Sequence, residues 1–165
     1  MKKIGIIMGS DSDLPIVQKA TDMLDKFNVP YEVHVYSAHR TPKEATEFSL
    51  TARERGFGAI IAVAGMAAHL AGVLAAHTTL PVVGVPAASG GLGGMDALLA
   101  TVQMPTGIPV ATVAVGGGAN AALLCMQMLA IEDADLAAAL DQKRADDTAA
   151  VLTKNAAIEK QFSGK

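Results

Sequence analysis

Between Gly56 and Ile131 the chain carries one formally charged side chain, Asp96, in 76 consecutive residues. The flanks are ordinary by contrast: residues 1–55 hold eight basic and eight acidic side chains, and residues 132–165 hold five and seven. A middle this poor in charge is expected to be buried. A membrane span is the competing explanation, since residues 57–76 are long enough to cross a bilayer. That stretch is built mainly of Ala and Gly, includes His69, and lacks the Leu, Ile and Phe density of a spanning helix. It divides at Gly65 into a β-forming run, Ala59–Val63, and an Ala-rich helical run. The middle is therefore expected to be covered by its own helices and by other subunits, with no membrane contact.

Small residues dominate: 31 Ala and 16 Gly make up about 28% of the 165 positions, and aromatics only 4%. With 51% hydrophobic residues the chain has the material for one domain, residues 1–165, with a sizeable core. Few aromatics and a formal net charge of −3 argue against a nucleic-acid binder. A single Cys excludes an intrachain disulfide framework and speaks against a Cys-based zinc site. No signal peptide is read at Met1–Met8, so a cytoplasmic protein is expected.

The order of elements follows from periodicity. Lys3–Met8 is a short apolar run read as a buried strand. Ser12 or Asp13 then caps a helix with Ile16, Val17, Ala20, Met23, Leu24 and Phe27 at helical spacing, stopped by Asn28-Val29-Pro30. Tyr31–Ser37 alternates as a second strand, and Thr41-Pro42-Lys43-Glu44 reads as a capping box opening a helix that Gly56 ends. Three further strands are expected at Ala59–Val63, Val82–Val85 and Val110–Val115. Helices follow them from about Ala67 to His77, from Met95, and from Ala119 to Ile131. Five strand–helix units over residues 1–131 imply an α/β fold, a parallel sheet with helices on both faces. Residues 132–165 are expected to form a charged helical extension, one helix or a helix pair.

In such sheets ligands bind beyond the carboxyl ends of the strands. Nearly every polar residue of the middle region falls on that edge, which is the strongest internal argument for a site. Ser10 and Ser12 precede a helix N-terminus, where amides and dipole favour an anion such as phosphate, although capping alone would also explain them. Arg40 stands beside the second helix start, where its fork can pair a phosphate. His39, between Ser37 and Arg40, suits a general acid/base. His69 could donate to a substrate or to a backbone carbonyl. His34 reads as a partly exposed strand residue, His77 as a dipole partner near a helix C-terminus, and Cys125 as core. Neither a P-loop nor a G-x-G-x-x-G fingerprint is present, and the histidines lack metal-ligand spacing.

Taken in order, Gly9-Ser10-Asp11-Ser12-Asp13, Ser37-Ala38-His39-Arg40-Thr41-Pro42 and Ala67-Ala68-His69-Leu70 resemble the N5-carboxyaminoimidazole ribonucleotide mutases of bacterial purine synthesis. Leu80–Pro86, Val102–Gly107 and Asn120–Leu124 match as well, so the resemblance runs from about residue 4 to 131. It implies a flavodoxin-like three-layer fold assembled as a homo-octamer, with no metal and no organic cofactor. The implied reaction moves a carboxylate from N5 to C4 of an aminoimidazole ribonucleotide, in IMP biosynthesis, downstream of an ATP-dependent N5-carboxylating synthetase. On matching positions, Ser10, Ser12, Ser37 and Arg40 would hold the 5′-phosphate and Asp13 the ribose hydroxyls. His39 would be the general acid/base and His69 a second catalytic residue, lining the pocket for base and carboxylate with Gly65, Ala68 and Leu70.

Two departures stand out. Met66 occupies a position where that family ordinarily has Gly, and the loop Val115–Asn120 is about two residues short and lacks the usual Lys. A related carboxylase that takes free carbon dioxide generally has Lys after the His and Ser-Asn in place of Ala67–Leu70, so these residues favour the mutase. A non-catalytic nucleotide- or flavin-binding module on the same fold is the alternative from another class.

Overall fold

The structure, a computed structural model, describes residues 1–163. Five parallel strands, β1 (Lys3–Met8), β2 (Tyr31–Val35), β3 (Phe57–Gly65), β4 (Val82–Ala87) and β5 (Ala111–Thr112), lie in the order β2-β1-β3-β4-β5. Helices α1 (Leu14–Lys26), α2 (Pro42–Thr51), α3 (Leu70–Ala75), α4 (Met95–Val102), α5 (Gly118–Leu129) and α6 (Ala134–Phe162) connect and follow them. The architecture is flavodoxin-like. Right-handed crossovers dictate the layers: β1 steps outward to β2 through α1, whereas every later step runs the other way. Thus α1 and α5 pack on one face of the sheet and α2, α3 and α4 on the other.

Each strand feeds both cores because successive side chains point to opposite faces. Ile4, Ile6 and Met8 join Val17, Leu24, Cys125 and Met126 on the first face, while Ile7 joins Phe48, Leu70 and Leu74 on the second. In β3 the alternation slips: Phe57 and Ile60 share a face although three positions separate them. The register explains it, since Lys3 pairs Phe57 but Ile4 pairs Ala59, leaving Gly58 as the extra residue of a bulge. Cys125 is fully buried, and that burial pushes its thiol up to about 12.

Several elements depart from the sequence expectation for local physical reasons. The first cap is Ser10, not Ser12 or Asp13: a short 3-10 turn, Asp11–Asp13, precedes α1, and Ser10 and Asp13 form a reciprocal capping box across it. Thr41 does precede α2, but its hydroxyl makes no cap; it accepts from Ser37 N (2.8 Å) and donates to Ser37 O (3.2 Å). Strand β5 pairs over two residues only. On β4 the groups of Gly84 and Pro86 face β5, as their carbonyls accept from Val113 N and Gly116 N. Pro86 offers no N–H in return, so the ladder ends there. The charged extension is one helix, α6, of 29 residues, capped by Asp133, whose Oδ1 accepts from Leu136 N. Only Leu136 and Leu140 of α6 are buried. Beyond Leu140 it is carried by Ala content and by pairs such as Lys143–Asp147.

Candidate active site

The strand order reverses direction at β1 and β3, and a cleft of about 620 Å³ opens at the carboxyl ends of these strands. Three loops build it. The loop after β1 is fixed by Gly9 N donating to Val63 O and by the capping box, in which Asp13 Oδ2 accepts from Ser10 N at 3.2 Å. The Ser12 hydroxyl donates to Ser10 Oγ at 3.0 Å. Asp13 is buried, and desolvation holds its carboxyl above the ordinary aspartate value; the Ser10 amide works against this and Asp11 adds to it.

The loop after β2 closes on Ser37, whose hydroxyl accepts from the amides of His39 (3.3 Å) and Arg40 (3.2 Å). Arg40 then reaches across to Gly9, donating from Nη2 to its carbonyl at 3.1 Å. The guanidinium therefore links the first two loops, and Arg40 lines the same cleft as Ser10, Ser12 and Ser37. His39 is exposed on the same rim, and among the described residues its ring makes no hydrogen bond or ion pair.

The third loop, after β3, supplies Gly65, Met66, Ala67, Ala68 and the buried Leu70. Gly65 has to be glycine, because a Cβ there would run into the Oγ and, at 2.8 Å, the Cβ of Ser89. Met66 (φ +56°) and His69 (φ +58°) both adopt left-handed backbone. This delays α3 to Leu70, three residues later than the Ala-rich run suggests.

Of the sequence-predicted residues, Ser10, Ser12, Asp13, Ser37, His39, Arg40, Gly65, Ala68 and Leu70 all line the cleft. His69 is placed differently: its Nδ1 lies 2.5 Å from Ala100 O, and its ring rests on Gly72. A carbonyl can only accept, so Nδ1 carries the proton and donates to α4. The backbone carbonyl is one of the two partners the sequence allowed, and Nδ1 engages it. Ser89 lines the cleft although sequence reasoning passed over it; its position just after β4 was the available signal. His77 donates to Val73 O at the end of α3, as a dipole partner would. A larger hollow, about 870 Å³, opens at the opposite edge among Leu50, Arg53, His77 and Ile108. It lies at the amino end of β4, and its polar groups are already engaged, Arg53 donating to Thr79 Oγ1 and His77 to Val73 O, so the smaller cleft at the carboxyl ends is the better candidate. No group of three His, Cys, Asp or Glu among the described residues is disposed to hold a metal ion.

This arrangement separates two chemistries. Between the β1 and β2 loops lie hydroxyls, a helix start and Arg40, a setting for a phosphate. Against the β3 loop lies a wall of Gly and Ala through which backbone can approach a planar group closely, with His39 alongside.

A model of the AIR carboxylase family matches residues 3–150. The chain is 56% identical over 151 residues to a Bacillus subtilis N5-carboxyaminoimidazole ribonucleotide mutase, covering 90% of this chain and 93% of that one. It is 55% identical over 146 residues to the mutase of Pyrococcus abyssi, covering 88% and 84%. The crystal structure of Treponema denticola PurE superposes with a TM-score of 0.79 at 22% identity, covering 97% of this chain and 98% of that one, which supports the fold.

Proposed function

The chain belongs to the AIR carboxylase family, and on that premise we propose that it is an N5-carboxyaminoimidazole ribonucleotide mutase of purine biosynthesis. The observation that carries the reading is the gathering of nine residues, predicted from three separate motifs, around one cleft at the sheet's switch point. The enzyme isomerises its substrate by moving a carboxylate from the exocyclic N5 to ring carbon C4.

Arg40 and the hydroxyls of Ser10, Ser12 and Ser37 hold the 5′-phosphate. Asp13 commits Oδ2 to the Ser10 amide, leaving Oδ1 for a ribose hydroxyl. The base then lies toward Gly65, Ala68 and Leu70. The N5–carboxylate bond breaks as His39 gives a proton to N5, releasing carbon dioxide beside the ring. C4 attacks that carbon dioxide, and its proton passes to His39, which regains its starting state. Poor solvation of the carbamate favours its cleavage, and confinement keeps the released carbon dioxide at high effective concentration. His69 acts as a positioning residue: tied to Ala100 O, it fixes the end of the β3 loop.

The N5-carboxylated substrate is a labile carbamate, so a synthetase that activates bicarbonate with ATP must supply it nearby; we place both in the cytoplasm. Homo-octamer assembly is supported by the apolar surface this chain leaves open, with Leu92, Met95, Leu99 and Val102 exposed in and before α4 and Val151, Leu152 and Ile158 on α6. The test offers the N5-carboxylated ribonucleotide, and separately the uncarboxylated one with bicarbonate, and follows the C4-carboxylated product. Rapid turnover of the first alone is expected; equal efficiency with the second would make the protein a direct carboxylase.

A further inference from the structure

Among the described residues, three that are not glycine adopt left-handed backbone: Asn28, Met66 and His69. Asn accepts that conformation readily. His69 holds it while donating to Ala100 O. Met66 has neither excuse: its side chain is 63% exposed, so no packing in the chain compensates for the strained φ of +56°. Glycine would sit there without strain. Unrelieved strain at a cleft-lining position points to a use for the side chain.

The surroundings say which use. Apart from Leu70, which belongs to the core, Met66 is the only large apolar side chain on a cleft otherwise walled by Gly, Ala, Ser and the polar rim. It stands on the β3 loop, on the far side of β1 from Arg40 and Ser37, and hence at the end away from the phosphate. An unbranched thioether is flexible enough to fold over a small planar group and exclude water from it. We propose that Met66 caps the carboxylate end of the cleft and keeps the released carbon dioxide in place between cleavage at N5 and bond formation at C4. The proposal rests on the mutase reading, and deepens it by naming the residue that limits loss of the intermediate.

The test measures partition rather than rate. Wild type, Met66→Ala, Met66→Gly and Met66→Leu are given the N5-carboxylated ribonucleotide. Two products are counted, the C4-carboxylated ribonucleotide and the decarboxylated one, after subtraction of spontaneous decarboxylation. Met66→Ala and Met66→Gly are expected to raise the decarboxylated fraction on the order of tenfold, and Met66→Leu to restore coupling. Because both products come from the same folded enzyme, a fall in folded amount leaves the ratio unmoved. Met66→Gly also relieves the strain, so its melting temperature should equal or exceed wild type. An active wild type with the same partition in all four proteins would overturn the role of Met66 alone. A wild type that fails to convert the substrate would remove the mutase reading and this inference together.

Discussion

Arg40 Nη2 donates to the backbone carbonyl of Gly9 at 3.1 Å, tying the loop after β2 to the loop after β1. That bond links loops of two different strand–helix units, the ones proposed above to hold the phosphate. Arg40→Ala should therefore raise KM for the nucleotide by about 30- to 160-fold, the loss expected for a charge-assisted pair of about 2–3 kcal/mol. Arg40→Lys should recover only part of it, since an ammonium cannot both hold Gly9 O and fork a phosphate. Steady-state kinetics at fixed ionic strength checks this.

His39 stands exposed on the rim and packs little, so its replacement should separate activity from stability. His39→Asn is expected to lower kcat by about 10²- to 10⁴-fold, the range for losing a general acid/base. Its melting temperature should match wild type. Near-normal turnover by this variant would remove the imidazole from the chemistry.

Gly65 and Ser89 touch across the ends of β3 and β4. Gly65→Ala should cost about 1–3 kcal/mol by overpacking and displace the loop that carries Met66. Adding Ser89→Gly removes the colliding atoms, so the double variant should regain most of the lost stability. Denaturant titration of the four members of the cycle reads the coupling directly.

On the edge strand, Glu32 accepts from Lys3 and Arg55, each at 2.5 Å, with His34 at 3.5 Å. The Lys3 bond is foremost in holding the Glu32 carboxyl below its ordinary value of 4.5. A lowered pKa means the folded state holds this proton less tightly than the unfolded state. The stabilisation is thus complete above about pH 4.5 and fades as pH falls through the lowered value. These groups are partly exposed, so Glu32→Gln should cost only about 0.5–1 kcal/mol at pH 7. The gap from wild type should close on acidification and narrow in high salt. A gap unchanged between neutral and acidic pH would show that the ion cluster contributes nothing.

Much of this was readable in advance because the uncharged middle has so few polar residues that their positions at strand ends stand out. Lys3–Met8 is bounded as the apolar run predicts, and α4 begins at Met95 as the Gly-rich loop before it implies. What escaped prediction depended on three-dimensional partners. The cap moved to Ser10 because a 3-10 turn intervenes, and Thr41 gave its hydroxyl to Ser37 in place of α2. The short β5 follows from the missing N–H of Pro86, a consequence visible only once that strand has a neighbour on the relevant side. Similarly, α3 starts late because Met66 and His69 take left-handed backbone that no propensity scale favours. Ser89 was hidden among glycines, and only its contact with Gly65 marks it as part of the wall.

The central claim, that a carboxylate is relayed within one cleft, is tested most directly by isotope retention. Substrate carrying carbon-13 in its N5 carboxylate is turned over in excess unlabelled bicarbonate, and the C4 carboxylate of the product is analysed by mass spectrometry at early times. Retention of nearly all the label is the predicted result. Label diluted to the level of the surrounding bicarbonate would contradict the account, because it would mean that free carbon dioxide from solution is the true co-substrate.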